Sequence, residues 1–333
     1  MNKRDTQLDI LKGIGILLVV FAHTCRGAVK DYVYLFHMPL FFFLSGAALN
    51  YSRSKDLNLK KRLKCIMLPY LVFSMICFLY WSLIEVRFRP VHDTDLFPGW
   101  LGTIDYKWQQ LSNLFLAFSL KDAFHYNITM WFLPCLFSTI VIHLTLKKWL
   151  SHYSWIGITA VVSIAFIFKD LRLPWCIEIA FVALPFMFGG EMFYGKIREQ
   201  KSILGGVFLV PIIILVIIYA PHVRMGSHQY GDWRLFYLLA FLPISTLVIF
   251  SRYFIDKNYG VLEWLGRNSL AIMCIHEPIK RILLVLLSKL VEMDVNTLRD
   301  STIICIGVTM LLVTMLVPIV FAINKWMPSV LGK

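Results

Sequence analysis

The sequence predicts an all-α integral membrane protein, with about ten transmembrane helices in a single bundle and both termini cytoplasmic. Three observations carry this expectation. Hydrophobic residues fill 58% of the 333 positions and charged residues only 16%, against roughly 45–50% and about 25% in soluble domains. The apolar residues gather into long runs such as Ile303–Ala322 and Leu204–Ala220. About 20 residues of helix cover the hydrocarbon core, and lipid offers the backbone no other hydrogen-bond partner. The basic residues, finally, crowd into alternate connections between those runs.

The first apolar stretch, Leu8–Ala22, follows Lys3 and Arg4 and is interrupted early by Asp9 and Lys12. No small-residue cleavage pattern closes it before His23, so it is expected to be a retained first spanning helix and not a signal peptide. The remaining spans fall near 34–50, 65–84, 130–146, 154–168, 175–194, 203–220, 234–250, 261–288 and 302–322. Pro69, Pro185 and Pro278 lie inside them, where neighbouring groups can satisfy the freed carbonyls. Arg53, Lys55, Lys60, Lys61, Arg62 and Lys64 mark one connection. Lys147 and Lys148, then Lys196, Arg198 and Lys201, then Arg252 and Lys257 mark others of the same parity, and Lys325 and Lys333 follow the last span. The longer connection 85–129 carries Asp93, Asp95, Asp105 and Asp122 instead. The positive-inside rule therefore puts both termini in the cytoplasm and 85–129 outside it. Within 85–129, Trp108, Leu111, Leu114, Phe115 and Phe118 follow helical spacing, as a helix lying in the membrane interface would.

No internal repeat divides the chain, so 1–333 is expected to form one membrane domain. The net charge of +13 arises from this connection pattern and implies a lipid bilayer, not nucleic acid, as the partner. The seven cysteines form no CxxC pair and are expected to be packing residues.

Polar groups inside spans are costly, and each is a candidate for function. In the first span Lys12 and His23 are eleven positions apart, which brings them within roughly 20° of one helix face and about 16 Å apart along the axis. Gly13 and Gly15 between them leave room for a neighbouring helix or a ligand. This stripe suits a long donor with an anionic head and a reactive tip, such as coenzyme A. Lysine would meet the phosphates, and the imidazole would take a proton from an attacking hydroxyl. A snorkelling lysine and an interfacial histidine fit the same spacing.

Residues 36–46 then read Phe-His-Met-Pro-Leu-Phe-Phe-Phe-Leu-Ser-Gly, which contains His37. The run Lys60-Lys61-Arg62-Leu63-Lys64 leads into Leu68-Pro69-Tyr70, and later come Trp131-Phe132-Leu133 and Leu265-Gly266-Arg267-Asn268-Ser269-Leu270, followed by His276. Together these resemble the acyltransferase-3 family of membrane O-acyltransferases, particularly its fucose 4-O-acetylase-like branch. Lys12, ten intervening residues and His23 match that family's Arg/Lys-x10-His motif. Ala22 stands where glycine is common, and Lys12 keeps the charge but not the fork geometry of arginine.

The resemblance implies a ten-helix enzyme of the bacterial cytoplasmic (inner) membrane. It would move acetyl from cytoplasmic acetyl-CoA to a hydroxyl of a surface or lipid-linked glycan, a sugar or polysaccharide acceptor. His23 would be the general base or a transient acyl carrier, and His37 would orient it or the acceptor. Arg62 and Lys64 would contact CoA phosphates, although positive-inside residues are also expected there. Trp131 would wall the thioester channel or anchor at the interface. Asn268, Ser269 and His276 would supply hydrogen bonds to the developing oxyanion, or else join helices. His92, Asp93 and Asp95 do not make a convincing ligand set, and no metal is expected. Transfer of succinyl or another acyl group is the near alternative. A polysaccharide exporter is the distant one, and paired broken helices in two repeats would favour it.

Overall fold

Asp5 starts the first helix by accepting hydrogen bonds from the backbone N–H groups of Gln7 and Leu8. In a computed structural model describing residues 5–50, 58–88, 104–119, 124–168, 170–199, 223–252 and 260–332, helices follow one another with no strand among the described residues. They are α1 (Thr6–Thr24), α2 (Ala28–Asn50), α3 (Leu59–Glu85), α4 (Ile104–Leu116), α5 (Phe132–Leu150) and α6 (Ser154–Ile167). Then come α7 (Ile177–Glu199), α8 (Trp233–Phe250), α9 (Gly260–Arg267), α10 (Ser269–Val291), α11 (Val295–Asp300) and α12 (Thr302–Trp326).

Six described helices, α1, α2, α3, α5, α7 with its preceding turn, and α12, are long and apolar enough to cross a bilayer. Two more, α6 and Leu235–Phe250 within α8, are apolar but shorter. The chain is thus an all-helical, multi-pass membrane protein. Of the expected spans, 203–220 lies outside the described residues. The span expected over 261–288 is two helices, α9 and α10, divided at Asn268. There the Asn268 side chain donates to the Trp264 carbonyl at 2.8 Å, a local bond that competes with helix continuation, and accepts from Asn324 of α12 at 2.8 Å.

The core of the bundle is the pair α1 and α2. α2 is 72% buried over its apolar window, while the outer helix α12 is only 33% buried. α1 packs on α2, α9, α10 and α12, and α2 packs also on α7 and α8. Glycines set the two closest crossings. A Cβ on Gly13 would strike the Leu262 backbone of α9, and one on Gly266 would strike the Asp9 backbone of α1. In the same way Gly46 of α2 lies on Met187 and Gly190 of α7 lies on Phe43, backbone to backbone. Gly13 therefore admits a helix and not a ligand, and Gly15 faces the side chains of Phe41 and Leu40.

The helix expected within 85–129 is present as α4. Ile104, Trp108 and Phe115 on it are 73%, 65% and 55% exposed, while Gln110, Asn113 and Leu114 are buried. Spacings of four and seven residues put the exposed three on one apolar face turned away from the bundle. Leu111 is partly buried against the core, and Phe118 follows the helix end.

Candidate active site

The end of α1, the first half of α2 and the middle of α10 converge on a cavity of about 610 Å³. Their convergence follows from spacing: Tyr34 and His37 are three residues apart on α2, and Lys280 and Arg281 lie one turn after Glu277 on α10. His23, Tyr34, His37, Glu277, Lys280 and Arg281 all line the cavity. The segment between α4 and α5 adds His125, Thr129 and Trp131, and the turn before α8 adds Arg224 and Gly226.

His23 has neighbours on three sides. Its Nδ1 is 3.2 Å from the Tyr34 hydroxyl and 4.0 Å from Glu277 Oε2. Its ring packs at 5.6 Å from His276 and 5.7 Å from Tyr34, centroid to centroid. Lys280 Nζ donates to the His23 carbonyl oxygen at 3.1 Å, tying α10 to the end of α1. The same ammonium binds both Glu277 oxygens at 2.8 Å. Arg281 reaches Glu277 at 3.3 Å, Glu85 of α3 at 2.9 Å and the His125 carbonyl oxygen at 2.7 Å. Glu277, Lys280 and Arg281 are all at most 3% exposed. Such a network is held by mutual compensation, since removing one charge leaves another buried without a partner.

The other histidines differ. His37 Nδ1 pairs with the Val33 carbonyl oxygen at 2.8 Å, and as the donor it leaves the lone pair of Nε2 for the cavity. His276 Nδ1 pairs with the carbonyls of Ile272 and Met273 at 3.0 Å, and its buried Nε2 has no hydrogen-bond partner among the described residues. Trp131 forms a wall, and the turn before α8 rests on it: a Cβ on Gly226 would come within 2.6 Å of the indole nitrogen.

The structure thus brings His23, His37 and Trp131 to this cavity, with His276 packed against the His23 ring, and it does not bring the other expected residues there. Lys12 is half-buried one stretch of α1 away, close to the crossing with α9. Arg62 is half-buried and Lys64 exposed at the start of α3, where a π-helical stretch covers Leu63–Met67. Asn268 joins α9 to α12, and Ser269 begins α10 beside it. Eight residues separate Asn268 from His276, about 12 Å of helix rise. His92, Asp93 and Asp95 lie outside the described residues, and no metal-ligand group occurs among the described ones.

Tyr34, Glu85, His125, Glu277, Lys280 and Arg281 were not singled out from the sequence. For three of them a signal exists. Glu277, Lys280 and Arg281 put three charges inside one apolar run directly after His276, a costly pattern in a membrane helix.

A largely buried imidazole with a carboxylate 4.0 Å from Nδ1 and a polar cavity beside it is chemically able to take part in proton transfer. The family described as an acyltransferase domain, acyltransferase-3, matches residues 5–323. The chain belongs to that family and is a multi-pass membrane acyltransferase. No curated protein and no solved structure matches it.

Proposed function

We propose that this acyltransferase moves acetyl from acetyl-CoA to a hydroxyl of a surface or lipid-linked glycan, with His23 as the general base. The observation that carries the proposal is the His23 imidazole, held between Tyr34 and Glu277 at the wall of the cavity. A proton on Nδ1 donates to the Tyr34 oxygen and faces the Glu277 carboxylate, so Nε2 keeps its lone pair. Nε2 takes the proton of the acceptor hydroxyl as that oxygen bonds to the thioester carbonyl carbon. When the carbon–sulfur bond breaks, the imidazolium returns the proton to the departing CoA sulfur. Glu277 stabilises the imidazolium between these steps, an electrostatic contribution that grows in a dry, low-dielectric site.

Positive-inside charges support a cytoplasmic donor site and an acceptor site across the membrane. Lys12 lies about 16 Å of helix rise from His23, a separation that a pantetheine arm can bridge. With Arg62 and Lys64 it is assigned to the phosphate end of CoA. His37, with Nε2 open to the cavity, orients the acceptor, and Trp131 walls the acetyl group. His276 backs the His23 ring, whereas Asn268 and Ser269 keep the helix break. The bacterial inner membrane is the compartment that offers CoA on one face and surface glycans on the other.

Membranes containing the protein, given acetyl-labelled acetyl-CoA, test this through mass analysis of the cell's glycans. One acetyl gained on a glycan is the expected result. A glycan that accumulates unmodified on the far side would overturn the enzyme reading in favour of export.

A further inference from the structure

We propose that the glycan acceptor is anionic, carrying a carboxylate or phosphate close to the hydroxyl that receives the acetyl group. This rests on the acyltransferase reading above and adds the acceptor's chemical class to it. The cavity is lined by six cationic side chains and one carboxylate, Glu277. Lys280 and Arg281 are matched by Glu277 and Glu85. Four further cations line the cavity: Arg26 after α1, Lys30 in the first turn of α2, Arg224 on the turn before α8, and Arg299 on α11. Among the described residues, Asp300, 3.9 Å from Arg26 and 65% exposed, and Asp31, within electrostatic reach of Lys30, stand near them. Among the described residues the rim therefore holds more cationic than anionic side chains.

Its position is the second observation. Arg299 Nε donates at 3.2 Å to the carbonyl of Thr24, the residue after His23. Lys30 Nζ sits 5.2 Å over the Tyr34 ring, whose hydroxyl is 3.2 Å from His23. An anion held by these groups lies within a sugar ring or two of the reacting nitrogen. The third observation is the side of the membrane. Cytoplasmic termini put the α1–α2 connection outside, where Lys and Arg are normally sparse. Four cations from four separate elements meeting at that end depart from the pattern, and CoA phosphates arrive from the opposite face. The chemistry left for the rim is an oxyanion on the acceptor, met by guanidinium and ammonium groups.

The full chain in nanodiscs provides the test. Binding is measured for three labelled probes: a glucuronic acid tetrasaccharide, polyprenyl-diphosphate glucose and neutral maltotetraose. At least one anionic probe is expected to bind about ten-fold or more tightly than maltotetraose, the range of a charge-assisted contact. Which of the two does so separates an acidic sugar from a lipid diphosphate. Arg224→Gln and Lys30→Gln should each remove most of that advantage, and Arg224→Lys should keep much of it. Equal binding of all three probes, or anionic binding that neither glutamine variant weakens, overturns the inference. So does loss of acetyl-CoA affinity in those variants with glycan affinity unchanged, which would assign the rim to the donor. Acetyl transfer is followed in the same nanodiscs. Anion-selective binding without transfer counts against the enzyme reading and supports the anionic acceptor. Transfer that is blind to acceptor charge does the reverse.

Discussion

Nδ1 of His23 lies 4.0 Å from a Glu277 oxygen, and that carboxylate is bound at 2.8 Å by Lys280 and at 3.3 Å by Arg281. Glu277 therefore has two duties, to face the imidazole and to compensate two buried cations. Glu277→Gln keeps the shape and removes the charge. Acetyl transfer should fall about 10²–10⁴-fold, the range of general-base assistance, chiefly in kcat. The protein should also lose about 3–5 kcal/mol, because Lys280 and Arg281 lose their counter-charge in a buried site. His23→Ala should lose comparable activity with much less effect on stability. Steady-state kinetics beside thermal unfolding in detergent checks both. Near-normal turnover in either variant removes His23 and its carboxylate from the chemistry.

Gly226 offers a test that leaves the charges alone. Its backbone presses on the Trp131 indole, and any side chain there would meet that ring nitrogen within 2.6 Å. Phe132 packs edge-on to that indole at 6.3 Å. Gly226→Val should cost about 1–3 kcal/mol through overpacking and should raise the acceptor KM several-fold by lifting the turn that carries Arg224. Gly226→Val combined with Trp131→Ala should cost less than the sum of the two single variants, which thermal melts of all three would show.

The membrane class was legible because lipid leaves an apolar run few choices, and spacing and surroundings singled out Lys12, His23 and His37 as candidates. The structure then separates what spacing had joined. Lys12 and His23 share one helix, yet only His23 reaches the cavity, because Gly13 and Gly266 bring α1 and α9 into backbone contact beside Lys12. Asn268 and His276 were read as one helix face, but Asn268 sits at a break that hydropathy does not record. Tyr34 and Glu85 were missed for a different reason. Each matters through a partner on another helix, His23 of α1 and Arg281 of α10, and no periodicity within one helix announces such a pair. Glu277, Lys280 and Arg281 were visible as charges in an apolar run, and their meaning appears only once α1 lies against α10.

His228, on the turn before α8, gives a pH dependence with a definite sign. Burial first, and then the nearby Arg172 charge, lower its pKa from 6.5 to about 4. In the unfolded chain it takes up a proton near the ordinary value, so between these two values the unfolded state binds more protons. Its contribution to stability is present above pH 6.5 and is lost as pH falls towards 4. The melting temperature of the solubilised protein should therefore drop between pH 7 and pH 5, and His228→Gln should flatten part of that drop. An unchanged slope in the variant would show that other groups govern it.

The orientation of the bundle decides whether acetyl must cross the membrane, and two exposed positions can settle it. The turn Pro328–Leu331 at the end of the chain packs on the start of α3, where Cys65 Sγ approaches the Gly332 carbonyl at 3.6 Å. The C-terminal end and the basic run Lys60–Lys64 therefore share a face, and the positive-inside rule assigns that face to the cytoplasm. Trp108 stands on α4, past the far end of α3 and 65% exposed. One crossing by α3, whose 27 residues exceed the length that a hydrocarbon core requires, puts the two on opposite sides. In a background with all seven cysteines replaced, a membrane-impermeant thiol reagent applied to intact cells should label Trp108→Cys. It should label Lys61→Cys only after the membrane is opened. Labelling of both from outside would mean that α3 does not span, and the opposed donor and acceptor faces would fall with it. Labelling of Lys61→Cys alone would invert the bundle, turn the cationic rim towards the cytoplasm and make CoA its natural ligand.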